Sequence, residues 1–274
     1  MKFSIVTISF NQAQFLERTI VSVLEQGYKD LDYIIVDPGS TDGSREIIER
    51  YRSHFSHVLL EPDQGAADGL NKGFALATGE VMGFLNSDDT LLPGTLSEAA
   101  QFLREHPRVD VVSGDCDVTD ERDHVLRESY SDRYSLRRYV YGVGILIQPS
   151  TFFRAAAYRA AGGFNVHNRV AWDGELFADM ARTGARFARS GRRWSCYRLH
   201  GTSITGTGKL DALMKTYHAR MFERVMGRPR KRADLLPALA YRVLKYLETP
   251  RALQQRVLRG PVYRRVLTPQ VKGQ

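Results

Sequence analysis

Two adjacent carboxylates, Asp88 and Asp89, follow directly on the apolar run Val81–Asn86. Neighbouring carboxylates repel, which raises one pKa unless a cation offsets the repulsion. A divalent metal bound by one or two carboxylates and by substrate phosphates is the natural remedy. The competing reading is a helix N-cap with a first-turn acid leading into Pro93, since Asp is a favoured cap. Three more strand-like runs end on polar groups: Thr7, Ser9 and Asn11 close the first, Asp37 and the turn Gly39-Ser40-Thr41-Asp42 the second, and Asp63-Gln64-Gly65 the third. Ligands of open parallel sheets bind beyond the carboxyl ends of the strands. Four loaded ends on one edge favour a metal and diphosphate site over a cap.

The elements that must carry these groups are short and regular. Residues 2–9 are too few and too β-branched for a helix and read as a buried strand. Asn11 is placed to cap the next helix, where Phe15, Leu16, Ile20, Val23 and Leu24 recur at helical spacing. Further strands are expected at 32–37, 57–61, Val81–Asn86 and 109–114, alternating with helices at 44–51, 66–77 and 93–105. Continuous apolar strands in that rhythm imply a parallel sheet covered on both faces. Beyond residue 115 the rhythm changes to a polar hairpin over 118–130, a strand at 148–154, a helix at Ala155–Ala161, a helix at 173–184 and a strand at 194–199.

A chain of 274 residues with 43 % apolar content suits one large α/β domain with an appendage. Cys116 and Cys196 are far apart and lack metal-type spacing, which fits a reducing compartment. The opening MKFSIVTISF is broken by Asn11 and Gln12 without a small-residue cleavage site, so it reads as a strand and not as a targeting signal. No run approaches the roughly 18 apolar residues that span a bilayer. The expected location is the cytoplasm, with peripheral contact at the inner face of the membrane.

The net charge of +8 is uneven, because residues 220–274 hold 14 Lys/Arg against 3 Asp/Glu, while the first 219 hold 25 basic and 28 acidic groups. In this tail Leu235, Leu236, Leu239, Val243, Leu244 and Leu247 repeat at helical spacing between basic residues. A solvated helical face, a nucleic-acid surface and an amphipathic helix on an anionic membrane are the three readings. No nucleic-acid motif accompanies the charge, so no nucleic-acid partner is expected, and the membrane surface is preferred.

The segments IVTISFNQAQFLERTIVSVLEQ, YIIVDPGSTDGS, DQGAADGLNKGFALATGEVMGFLNSDDTLLPGTL and QPSTFFRAAAYRAAGGFN resemble a family-2 inverting glycosyltransferase of GT-A fold, over residues 3 to about 205. The resemblance implies a mostly parallel central sheet flanked by helices, with a helical C-terminal extension. It divides the chain into a nucleotide-sugar half (1–115), an acceptor and catalytic-base half (116–208) and a basic extension (209–274). It brings Thr7, Ser9, Asn11 and Asp37 to the nucleoside, with Asp37 reading uracil or thymine; a strand-ending Asx-turn is the alternative for Asp37. Asp42 is expected to organise the same turn. Asp68, Asn71 and Lys72 match the family's DxxNKG helix beside the nucleotide, with Lys72 meeting phosphate as a point charge. Asn86 stands where the motif usually has aspartate. An amide can bond ribose or sugar hydroxyls but is a poorer ligand, so Asp88 and Asp89 both remain candidates to hold Mn²⁺ or Mg²⁺, helped by His200. Asp173, in VAWDGELFADM, falls where the family places its general base, and Glu175 is the second candidate.

The implied activity is transfer of a hexosyl or N-acetylhexosaminyl group from a UDP- or dTDP-sugar to a saccharide or lipid-linked acceptor, in cell-surface polysaccharide or glycolipid synthesis. A sugar-1-phosphate nucleotidyltransferase would need a Gly-rich, basic loop after the first strand, where Ser9-Phe10-Asn11-Gln12 stands. A Rossmann dehydrogenase would need GxGxxG there. A non-catalytic sugar-nucleotide sensor would need no base beside its acidic pair.

Overall fold

The computed structural model describes residues 1–201 and 211–260. In chain order its strands are β1 (Phe3–Ile8), β2 (Leu31–Val36), β3 (His57–Leu59), β4 (Val81–Asn86), β5 (Thr90–Leu91), β6 (Val111–Thr119), β7 (Val125–Ser129), β8 (Thr151–Arg154) and β9 (Phe187–Arg198). The helices are α1 (Ala13–Leu24), α2 (Ser44–Arg50), α3 (Ala66–Leu76), α4 (Thr95–Glu105), α5 (Leu136–Val140), α6 (Ala155–Ala161), α7 (Trp172–Arg182), α8 (Asp211–Met226), α9 (Leu235–Glu248) and α10 (Pro250–Arg259). The strands form one sheet in the order β3-β2-β1-β4-β8-β6-β9-β5, with β7 hydrogen-bonded to β6.

The first four strands run parallel, and their two apolar faces explain why. Phe3 and Ile5 pack with Leu16, Ile20, Tyr33 and Leu96 beneath α1 and α4. Val6, Ile34 and Val36 pack with Leu70 and Phe74 of α3 on the other face. Each such side chain, fully buried, contributes roughly 1.5–3 kcal/mol. Gly73 sets the distance between α3 and the sheet, since a Cβ there would stand 2.6 Å from Val6.

The parallel order ends at β4. The strand expected at 109–114 is the first part of β6, but β8 enters antiparallel between it and β4. β6 continues to Thr119 and turns into β7, giving the expected hairpin. The late strand begins earlier than expected, at Phe187, because its arginines are neutralised across the ladder. Arg189 Nη2 lies 2.7 Å from Asp115 Oδ2, and Arg193 Nη1 lies 2.8 Å from Asp117 Oδ1.

The basic tail is a docked wall. Arg138 forks Glu248 at 2.6 and 2.9 Å, Lys245 reaches Asp132 at 3.0 Å, and Arg127 donates to the Gly260 carbonyl at 2.6 Å. Residues 202–210 and 261–274, which belong to the expected extension and to the end of the resemblance, lie outside the described residues. The outer side of α9 leaves Leu236 74 % and Leu247 72 % exposed.

Candidate active site

A cavity of about 1260 Å³ opens where β1 and β4 end, lined there by Ser9, Asn86 and Asp88 and elsewhere by Asp173, Lys245 and Arg256. This is the point where the strand order reverses, with β2 on one side of β1 and β4 on the other. Open α/β sheets bind ligands at such a switch point.

The acidic pair divides its labour. Asp88 lines the cavity, and its Oδ2 lies 2.9 Å from His200 Nε2. His200 is buried, with its ring 4.7 Å from that of Phe15. Asp89 is buried, lies outside the cavity lining and accepts the Arg198 N–H at 3.0 Å, while its Oδ2 has no hydrogen-bond partner. Burial first, and then the charge of Asp88, push the Asp89 carboxyl well above the usual range. Behind both stands Arg198, 1 % exposed, donating from Nε to the Asp88 carbonyl at 2.8 Å and pairing with Asp123. Its guanidinium also sits over the Phe15 ring at 5.0 Å. Sequence reading passed over Arg198; its place two residues before His200 was the available signal. Asn86 donates to Gln148 Oε1 at 3.3 Å, and Gln148 in turn donates to the Phe84 carbonyl at 2.6 Å.

Of Asp88, Asp89 and His200, Asp88 alone lines the cavity, and the buried imidazole of His200 stands behind its carboxylate. Among the described residues no group of three His, Cys, Asp or Glu side chains converges. So sparse a set fits Mn²⁺ or Mg²⁺ completing its shell from substrate phosphates, not an all-protein metal cage.

The loops after β1 and β2 are tied to one another. Asp37 is fully buried; its carboxylate accepts the N–H groups of Gly39 and Ser40 at 3.1 and 2.8 Å, the Ser40 hydroxyl at 2.6 Å and Arg45 Nε at 3.3 Å. The structure thus gives Asp37 the turn-organising role and leaves Pro38, its neighbour, on the cavity wall. Asn11 does not cap α1: at φ 53° its Oδ1 accepts the Thr41 N–H at 2.9 Å. The cap comes from Asp42, which accepts the Ala13 N–H at 2.8 Å. Thr7 is off the cavity as well, buried with its hydroxyl 3.0 Å from that of Tyr33, because it lies on the strand face that carries Phe3 and Ile5. Ser9 does line the cavity. Its Oγ and Gln12 Oε1 are buried, unpartnered and part of residues lining the cavity. A buried polar atom left unmade costs about 1–3 kcal/mol, and both oxygens are open to a partner from outside the chain.

Asp68 and Lys72 are not brought to the cavity lining. Asp68 accepts the Gln64 N–H at 2.9 Å and pairs with Lys72 at 3.2 Å one helical turn on, while Lys72 also donates to the Pro62 carbonyl at 2.8 Å. Asn71, between them, clamps the turn after Gly163: its Oδ1 accepts the Phe164 N–H and its Nδ2 donates to the Phe164 carbonyl, both at 2.8 Å. Asp63 lines the cavity, with its carboxyl raised chiefly by burial.

On the far side, Asp173 lines the cavity from inside the first turn of α7, not from the loop ahead of it. Burial raises its carboxyl pKa, partly offset by the N–H groups of Gly174 and of Asp173 itself. Glu175 is spent elsewhere: Asn168 donates to it at 2.6 Å, Asn165 at 3.2 Å, and Arg224 stands 3.5 Å away. It organises the 165–168 loop and does not line the cavity. That loop also supplies Arg169, unremarked in the sequence, which lines the cavity and donates to the Gln64 carbonyl.

Residues 4–161 match the family model described as Glycosyl transferase family 2. The chain is 34 % identical over 132 residues to an uncharacterized glycosyltransferase of Nostoc sp., covering 47 % of this chain and 41 % of that protein. It is 31 % identical over 180 residues to a PGL/p-HBAD biosynthesis glycosyltransferase of Mycobacterium tuberculosis, covering 62 % of this chain and 67 % of that one. The chain thus spans less than half the length of the Nostoc relative. Among solved structures, S. aureus TarS 1–349 in complex with UDP-GlcNAc superposes with a TM-score of 0.69 at 19 % identity, covering 96 % of this chain and 77 % of that one. The mannosyltransferase PcManGT from Pyrobaculum calidifontis, in complex with GDP-Man and Mn²⁺, superposes at 0.62 and 19 % identity, covering 93 % and 73 %.

Proposed function

We propose, from the premise that this chain belongs to glycosyl transferase family 2 and has its GT-A fold, that it moves a hexosyl or N-acetylhexosaminyl group from a UDP- or dTDP-sugar to an acceptor hydroxyl with inversion. The observation that carries this reading is that Asp88, held from behind by His200, and Asp173 reach one cavity from different elements. Asp173 takes the acceptor hydroxyl proton as that oxygen attacks the anomeric carbon. The bond from that carbon to the diphosphate oxygen breaks on the opposite face, and its electron pair leaves with the diphosphate. Raising a carboxyl by burial moves it toward the pH at which a general base works best. Asp88 and His200 would hold Mn²⁺ or Mg²⁺, which when bound offsets charge on the leaving diphosphate. Asn86 and Ser9 bond sugar or ribose hydroxyls, and the Asp37-organised turn seats the base beside Pro38.

Residues 1–115 then serve the donor and 116–208 the acceptor, and the extension (209–274) contributes a wall through its described part, 211–260. We place the enzyme in cell-surface polysaccharide or glycolipid synthesis, at an anionic membrane surface. Support comes from α9 and α10, which expose Leu239, Leu247 and Val257 beside Arg242 and Arg251; such faces lie on membranes without spanning them. Among the described residues no helix is long and apolar enough to cross one.

Thermal shift against UDP, dTDP, GDP and ADP with Mn²⁺ tests the donor reading, and UDP or dTDP should stand out. No shift with any nucleotide would overturn it. Asp173→Asn should keep that shift while losing transfer and slow donor hydrolysis; undiminished turnover would remove Asp173 as the base.

A further inference from the structure

The end of the cavity farthest along the chain holds positive charge that sugar transfer does not use. Arg127 of β7 and Arg256 of α10 both line it. Arg127 donates to the carbonyls of Gly260, at 2.6 Å, and Glu128, at 3.5 Å, and has no carboxylate partner among the described residues. Arg256 has no ion pair among them either. The other charged groups here are already committed. Lys245 pairs with Asp132 at 3.0 Å, and Glu128 serves the Tyr130 hydroxyl and, at 3.4 Å, Arg193. Burial, and then Arg259 and Arg256, lower the pKa of Arg127, the direction expected of a cation facing like charge. Beside them Gln255 lines the cavity with its Oε1 buried and unpartnered. The two ends of an amide are interchangeable by a flip, so Gln255 can equally present its NH₂.

Two guanidinium forks and an amide, brought from two elements to one end of a cavity, match an oxyanion with several acceptor oxygens. Guanidinium is the side-chain group best shaped for bidentate phosphate binding. We propose that Arg127, Arg256 and Gln255 form a subsite for a phosphate group carried by the acceptor, so that the molecule receiving the sugar is a phosphorylated or lipid-phosphate-linked saccharide. This rests on reading the cavity as a transfer site whose donor diphosphate lies at the Asp88–His200 end.

The test is calorimetric binding of methyl phosphate and farnesyl phosphate to the full chain, with UDP and Mg²⁺ at saturation. Both probes should bind beside UDP, and Arg127→Gln with Arg256→Gln should weaken them about tenfold or more while UDP affinity holds. The matching Arg→Lys pair should recover part of the loss, which a purely structural role would not predict. A preference for farnesyl phosphate identifies a lipid carrier as the phosphate source, and equal binding identifies a phosphorylated saccharide. Unchanged probe binding in the double Gln variant overturns the subsite. Displacement of both probes by UDP also overturns it, by assigning these cations to the donor. Failure of UDP to bind, with phosphate binding intact and sensitive to the variants, strikes the donor reading and leaves the subsite standing.

Discussion

The loops after β1 and β2 and the wall made by β7 and α10 serve one cavity, yet they treat their polar groups in opposite ways. At the first, Asp37 alone accepts from two backbone N–H groups, one hydroxyl and Arg45, while Asn11 and Asp42 stitch the two loops together. At the second, Arg138–Glu248 and Lys245–Asp132 fasten the helices from behind, and Arg127, Arg256 and Gln255 are left facing the cavity. A loop with its hydrogen bonds internally satisfied keeps its shape whether or not a ligand is present. A wall whose cations have no carboxylate partner among the described residues is completed by its ligand. The contrast suits a donor end built for a constant diphosphate and an acceptor end that discriminates.

The strongest test of this contrast is between the two ends, at Asp173. Asp173→Asn should cut transfer by about 10²–10⁴ with donor affinity unchanged, read from kcat and from calorimetry. Because burial raises this carboxyl and the base must be ionised, wild-type activity should fall on acidification at a pH above the usual aspartate range. The same shift acts on stability with the reverse sense. Ionisation is disfavoured in the fold, so the wild type loses stability as pH rises through the raised pKa, and the Tm advantage of Asp173→Asn should widen with pH.

Next in size is Asp37→Ala, which strands the donors around it and should cost about 3 kcal/mol in urea unfolding. A cost below about 1 kcal/mol would mean that the donor loop is not self-supporting. On the outer face of the far wall, Leu239→Glu with Leu247→Glu should leave stability within about 0.5 kcal/mol and abolish flotation with anionic vesicles. The smallest effect belongs to Lys72→Ala, an exposed i,i+4 pair worth about 0.5 kcal/mol, with donor affinity held within about twofold. A tenfold loss of nucleotide affinity would return Lys72 to the phosphates.

What could be read in advance follows the chemistry of each segment. The four parallel strands were legible because both of their faces are apolar and their ends are polar. That same two-sided character hid which way Thr7 points, since no polar alternation marks the inner face of β1. β9 was only half legible: Arg189 and Arg193 resemble loop residues until Asp115 and Asp117 are seen opposite them. Asp88 and His200 were legible as a motif, whereas the engagement of Asp37 and Glu175 by their own loops depends on contacts that residue types do not encode. The tail could be recognised as amphipathic helix, but its docking rests on contacts between residues far apart in sequence, such as Arg138 with Glu248 and Tyr141 with Phe222.

The bond from Arg127 to the Gly260 carbonyl joins residues 133 positions apart. On the ribosome, a chain emerging N-terminus first can assemble β1 to β4 from local contacts long before α10 exists. The nucleotide half is therefore free to form early, while the cavity gains its last wall only once α10 has been made. On the proposed assignment of the two ends, premature chains would bind a donor without the surface that selects what receives it.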